Sequence, residues 1–443
     1  MTVKRAQWGS RLGFILAAAG SAVGLGAIWK FPYVTANNGG GAFLLLYTVF
    51  CLTIGLAVML AEFAIGRHTK QGPVGAFRKL LGKGWAWPGY MNMLCNFLVM
   101  SFYGVIGGWS LAYLFKSMSG SLFTESSRHF QQVYDNFVGN PYEPIFYHAL
   151  YVALNIIILA GGVQKGIEKL CKYMMPALFI LMIVLVVRAL TLPGAGEGVI
   201  FFLKPNFAAV SFQSVLDALG MAFFSLSLGM GAMITYGSYL PKNTKIFSAA
   251  LWVVNLQVLC AILAGLMVLP VVFAFNVEPN FGPGLTFVTL PAIFNSLPFG
   301  QFIAVMFFTL VFFAALASSI SMIEVMATHF IEERHFSRVK AVTWLGIAII
   351  LAGIPVSLSF GIWKDFKVLF DKNIFDLLDA ATSNLLILLG GISVSVTVGW
   401  VKWPILHEQL PSKPLMLAKS LRFTCRWITP IAIGGLLLRS FIN

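Results

Sequence analysis

Eleven stretches of this chain, the first near 12–35 and the last near 424–442, are each long and apolar enough to cross a bilayer, with short polar segments between them. A crossing helix needs about 20 mostly apolar residues. Inside hydrocarbon each backbone N–H and C=O must find its partner within protein, which runs of this kind achieve as helices. The constraint makes the chain an all-α polytopic membrane protein of eleven transmembrane helices, expected as one transmembrane domain over 1–443 with no soluble domain. Charged residues are 10% of the chain, against about 25% in soluble proteins.

The formal charge of +14 does not point to nucleic acid, because the basic residues sit in short loops between apolar runs. There they set orientation. With the N-terminus in the cytoplasm, 21 of the 30 Lys and Arg residues fall in inside loops, so the expected topology is N-terminus inside and C-terminus outside. The five cysteines stand singly and show neither a disulfide framework nor metal-ligand spacing. Within the apolar runs there is no paired His and no nucleophile–base set, so no enzyme is expected.

Two runs are interrupted. "GSAVGLGAIW" (20–29) breaks the first and "FFSLSLGMGAM" (223–233) the sixth. Glycines in a membrane helix often serve close packing, but a matched pair, with Ser225 and Ser227 beside the second, points to a binding site. First and sixth of eleven imply five plus five plus one: repeat one about 12–189, repeat two about 214–401, extra helix about 424–442. Five is odd, so the halves lie inverted. Inverted repeats with a discontinuous helix in each place a substrate at the bilayer midplane. Unwinding, expected near 22–26 and 226–230, frees backbone groups that only ligands or ions can use in lipid. Half-helix N-termini suit a carboxylate, and freed carbonyls suit a hard cation.

Several segments carry a resemblance in order along nearly the whole chain: "RLGFILAAAGSAVGLGAIWKFPY", "NNGGGAFLLLY", "EFAIGR", "FFSLSLGMGAMITYGSYL" and "FFAALASSIS". They resemble the neurotransmitter:sodium symporter family, and within it short bacterial amino-acid transporters. The resemblance implies sodium-coupled symport of a neutral, mostly apolar amino acid by alternating access, in a bacterial plasma membrane, with no cofactor beyond Na+ as the coupling ion. Its implied partners are the amino acid and the lipid bilayer; the oligomeric state, a homodimer included, is left open.

The resemblance also implies residue roles. The substrate carboxylate would meet the backbone at Ala22, Gly24, Leu25 and Gly26 and the hydroxyl of Tyr103. Val99, Phe224, Ser225, Ser227, Met230, Ser318 and Met322 would complete the pocket. Two methionines make an adaptable wall. Outside, Lys30 and Asp379 would pair above Tyr103 and Phe224, a lysine giving a looser gate than the family's usual arginine. Inside, Arg5 and Trp8 would latch onto Ser238, Tyr239 and Glu332. Glu62 would bond freed amides of the broken helices. Glu324, the other acid within a run, is read equally as a packing hydrogen bond or a proton-linked group.

Departures fall on the sodium sites. The first would use Ala22, Ser225 and either Asn255 or Gln257, with Gln257 favoured, but Ala27 supplies no side-chain oxygen. The second would use carbonyls of Gly20, Val23 and Ala314 with Ser318, but Ala317 replaces a hydroxyl. Weakened sodium binding follows. Sodium-independent or proton-coupled transport stays open, as does a transport-dead amino-acid sensor.

Overall fold

The computed structural model describes residues 6–123, 129–275, 284–369, 371–410 and 415–442. Among them the chain is helical, with two isolated backbone bridges, Gly40–Pro205 and Leu369–Lys372, and no strand. Among the described residues nine helices are long and apolar enough to cross a membrane: Gly41–Thr69, Lys83–Met118, Glu143–Ala160, Val163–Leu190, Ile246–Ala274, Gly300–Glu333, Arg338–Leu358, Ile374–Val401 and Leu415–Arg439. The pair Arg11–Ala22 and Gly26–Asn37, bent by 50°, makes a tenth. The sixth run is two helices, Phe212–Ser225 and Ala232–Ser238, of 14 and 7 residues. Neither is long enough to cross alone. Length and apolarity thus give nine or ten crossings, and eleven only when this interrupted pair is taken as one more. We number the spans in chain order, the bent pair first and the interrupted pair sixth.

Local sequence fixes several of the starts. Ser10 accepts a hydrogen bond from the Gly13 amide, capping the first span, and Ser211 with Ser214 forms a reciprocal capping pair at the sixth. Such caps satisfy amides that have no partner in the first helical turn. Proline occupies the first turn of helices beginning at Trp87 and Glu143, where its missing N–H costs nothing.

The eighth span is buried on all sides from Ala314 to His329 and packs along the third. A helix apolar all round belongs in the middle of a bundle. The fifth and ninth spans instead turn Ile180, Ile183, Trp344 and Leu351 outward, 51–61% exposed, as lipid contact requires. The second and sixth spans touch backbone to backbone: a Cβ on Gly66 would lie 2.0 Å from the Ile234 carbonyl oxygen. The two breaks therefore meet at the centre, walled by the third and eighth spans.

Candidate functional site

The first break covers Val23 to Leu25, shorter than the 22–26 expected, because a wide helical turn already begins at Gly26. Three amides are diverted there. The Gly24 amide donates to the Ala22 carbonyl (2.9 Å) and the Ala27 amide to the Gly24 carbonyl (3.1 Å). The Leu25 amide donates to the Tyr103 hydroxyl (3.1 Å). In an unbroken helix these three would go to Gly20, Val23 and Ser21. Ser21 is compensated: its carbonyl accepts from Ser227 Oγ (2.8 Å) and Ser318 Oγ (3.2 Å). The Gly20 and Val23 carbonyls are the two whose helical donors have turned away.

The second break covers 226–231, one residue longer than expected. Ser227, Gly229 and Gly231 have φ of 52°, 75° and 77°. Such values cost a side-chain-bearing residue but not glycine. Ser227 is held there by its bond to Ser21, which ties one break to the other. Fully buried Glu62 accepts the Gly229 amide at 2.7 Å.

Between the breaks lies a void of about 20 Å³. All residues expected around a substrate line it except Leu25, and Ser21 joins them. Leu25 contributes through its amide on Tyr103 instead, leaving that hydroxyl its own proton to donate. A Cβ on Gly24 would come within 2.9 Å of both Ser318 Oγ and the Tyr103 hydroxyl, so only glycine keeps the backbone open here.

Phe224 closes one side of the void. Its ring lies against Gly26, with Lys30 Nζ 4.8 Å from the ring centroid. Beyond it opens a cavity of about 490 Å³ that Phe224 also lines, with Lys30, Tyr33, Asp217, Lys372 and Arg439 on its walls. Lys30 and Asp379 are 3.9 Å apart and about one-third exposed, a geometry that contributes little stability. Arg439 bonds Asp217 at 2.6 Å, joining the last span to the sixth.

The opposite side is thick. Trp8 is 5% exposed; its indole donates to the Tyr236 carbonyl (3.0 Å) and its amide to the Tyr239 carbonyl (3.3 Å). Its ring packs on Phe14, Tyr236 and Tyr239 at 5.2–6.1 Å. Ser238, expected as a latch partner, bonds the Thr235 carbonyl, and Glu332 accepts the Gly72 amide. Arg5 lies outside the described residues. Glu168 holds the Gly9 amide (2.6 Å) and Ser10 hydroxyl (2.8 Å), a role the sequence reading missed. No local signal marked it, because Glu168 lies 158 residues from Ser10 in the chain. Glu324 accepts from Tyr239 (2.6 Å) and pairs with Arg338.

Of the seventh-span alternatives, Gln257 is fully buried and Asn255 exposed. Gln257 and Ser225 both bond the Tyr47 hydroxyl, at 3.1 and 2.8 Å. Gln257 Oε1 has no partner among the described residues. Ala27, Ala314 and Ala317 are buried, and Ala317 faces Gly20, 3.2 Å from where a Cβ there would stand. The donor set around the first break is thus all oxygen, mostly carbonyl, which fits a hard monovalent cation.

Comparison with known proteins matches this geometry to one family. The model of the sodium:neurotransmitter symporter family matches residues 5–138 and 127–442. An uncharacterised sodium-dependent transporter of Bacillus subtilis, YhdH, is 43% identical over 89% of this chain and 88% of its own length. Sodium- and chloride-dependent GABA transporter 2 of Homo sapiens is 28% identical over 90% of this chain and 73% of its own. The crystal structure of MhsT in complex with L-phenylalanine superposes with a TM-score of 0.93 at 44% identity, covering 99% of this chain and all of that one.

Proposed function

The chain belongs to the sodium:neurotransmitter symporter family, and on that premise we propose that it carries a neutral, mostly apolar amino acid inward with sodium by alternating access. It is a sodium-dependent transporter of a family of secondary transporters, not an enzyme. The observation that carries the substrate class is the void between the breaks. Its polar groups are backbone and hydroxyls, while Val99, Phe224, Met230 and Met322 make the remaining wall, and among the described residues no acid or base lines it. Tyr103 and the half-helix N-terminus after Leu25 meet the carboxylate. The phenylalanine complex of the similar MhsT supports an apolar side chain.

Phe224 with the Lys30–Asp379 pair is the outer gate, and the Trp8 cluster the inner one, in a multi-pass protein with its N-terminus in the cytoplasm of a bacterial cell. The thin Phe224 layer under an open cavity supports an outward-facing reading of this conformation. The two inverted halves run over 12–189 and 214–401.

Sodium at the second site uses the Gly20, Val23 and Ala314 carbonyls with Ser318. At the first it uses Ala22, Ser225, Gln257 Oε1 and the substrate carboxylate. Each site lacks one side-chain oxygen, at Ala317 and Ala27, so sodium binds weakly. The commitment of Glu324 to Arg338 and Tyr239 favours sodium over a proton relay at that residue. Calorimetric titration of the purified protein with a panel of amino acids, with and without sodium, tests the reading. Binding of apolar members that tightens with sodium is expected; a preference for charged members would refute the substrate class.

A further inference from the structure

Two asparagines one turn apart on the third span, Asn92 and Asn96, are 1% and 0% exposed. A buried amide is costly unless its groups are bonded, and in a membrane span it is a functional candidate. Asn96 Nδ2 donates to the Asn92 carbonyl and to the Met230 carbonyl, both at 2.7 Å. Asn92, with its amide oriented to satisfy both of its atoms, donates to the Gly229 carbonyl at 2.9 Å.

We propose that Asn92 and Asn96 are positioning residues that hold the unwound stretch of the sixth span at a fixed depth. Through Met230, Asn96 thereby limits the size of side chain that the void accepts. The second part rests on the amino-acid reading above. Unwinding frees carbonyls at 226–231, and these two amides take those of Gly229 and Met230. Gly229 is gripped on both faces, its amide by Glu62 and its carbonyl by Asn92. The tenth span backs it so closely that a Cβ on Gly390 would lie 1.8 Å from the Gly229 oxygen. The break is thus built by the second, third and tenth spans, and no ligand is required to keep it open. Met230 is fixed at its carbonyl by Asn96 while its side chain forms the wall, next to Val99 one turn along the third span.

Two readouts on the full-length protein test this. Hydrogen–deuterium exchange of the 226–231 amides reads the anchor without any ligand: faster exchange is expected in Asn96→Ala and in Asn92→Ala. The ratio of phenylalanine to alanine affinity reads the selectivity. It shifts about tenfold in Asn96→Ala, the scale of one lost buried hydrogen bond, and Asn96→Ala adds no further shift in a Met230→Ala background. Exchange unchanged in both variants overturns the anchor, and an unchanged ratio, or an equal shift in both backgrounds, overturns the route through Met230. If wild type binds no amino acid while its exchange still responds, the transport reading falls and the anchor stands. Should Asn96→Ala not fold, Asn92→Ala carries the exchange test and Asn96→Gln the ratio.

Discussion

At the scale of single residues, the proposed transport chemistry turns on Tyr103 and on Ala27 and Ala317. The Tyr103 hydroxyl accepts the Leu25 amide and has one proton to give a carboxylate in a dry site. Tyr103→Phe should weaken substrate binding by about 1–3 kcal/mol, the loss of a charge-assisted hydrogen bond; equal affinities by calorimetry would place the carboxylate elsewhere. Ala317 sits against Gly20, where a hydroxyl would add an oxygen to the second cation site proposed above. Ala317→Thr should raise sodium affinity about tenfold, and Ala27→Asn should do the same at the first site. Sodium titration of substrate binding measures both, and flat responses in each variant would remove these positions from the ion path.

Among elements, the breaks decide the architecture, and their legibility was uneven. Glycine and serine in an apolar run contradict local helix preference, and such conflicts mark functional places; both breaks were readable for that reason. Their extent was not, since the turn that resumes at Gly26 depends on packing beneath Phe224. Gln257, favoured over Asn255 in sequence, differs from it in burial, a difference that one uniformly apolar helix does not display in its sequence. Asn92 and Asn96 went unread because their partners lie on another span, Met230 being 134 residues from Asn96. Ser227 ties the two breaks together at a strained φ. Ser227→Ala leaves the Ser21 carbonyl with Ser318 alone, which should cost about 1–3 kcal/mol. The thermal unfolding midpoint should fall, and an unmoved midpoint would mean the tie contributes nothing.

For the whole molecule, the two sides of the void are closed unequally. Trp8 closes one side with two hydrogen bonds and three aromatic contacts, whereas on the other side Phe224 is the one described residue that lines both void and cavity. Removing Trp8 should shift the population toward the inward-facing state. A cysteine at fully buried Ser238 reports this, because the five native cysteines are buried too. Ser238→Cys should label faster with a thiol reagent in a Trp8→Ala background, and an equal rate would show that Trp8 is no gate. The family was legible from contiguous motifs, whereas the contacts of Glu168, Tyr236 and Arg338 join distant spans and needed the fold. The most direct test of sodium-coupled transport is uptake of labelled phenylalanine into proteoliposomes under an inward sodium gradient. The account predicts accumulation that collapses when sodium is equal on both sides; uptake indifferent to the gradient, for phenylalanine and for every other apolar amino acid, would contradict it.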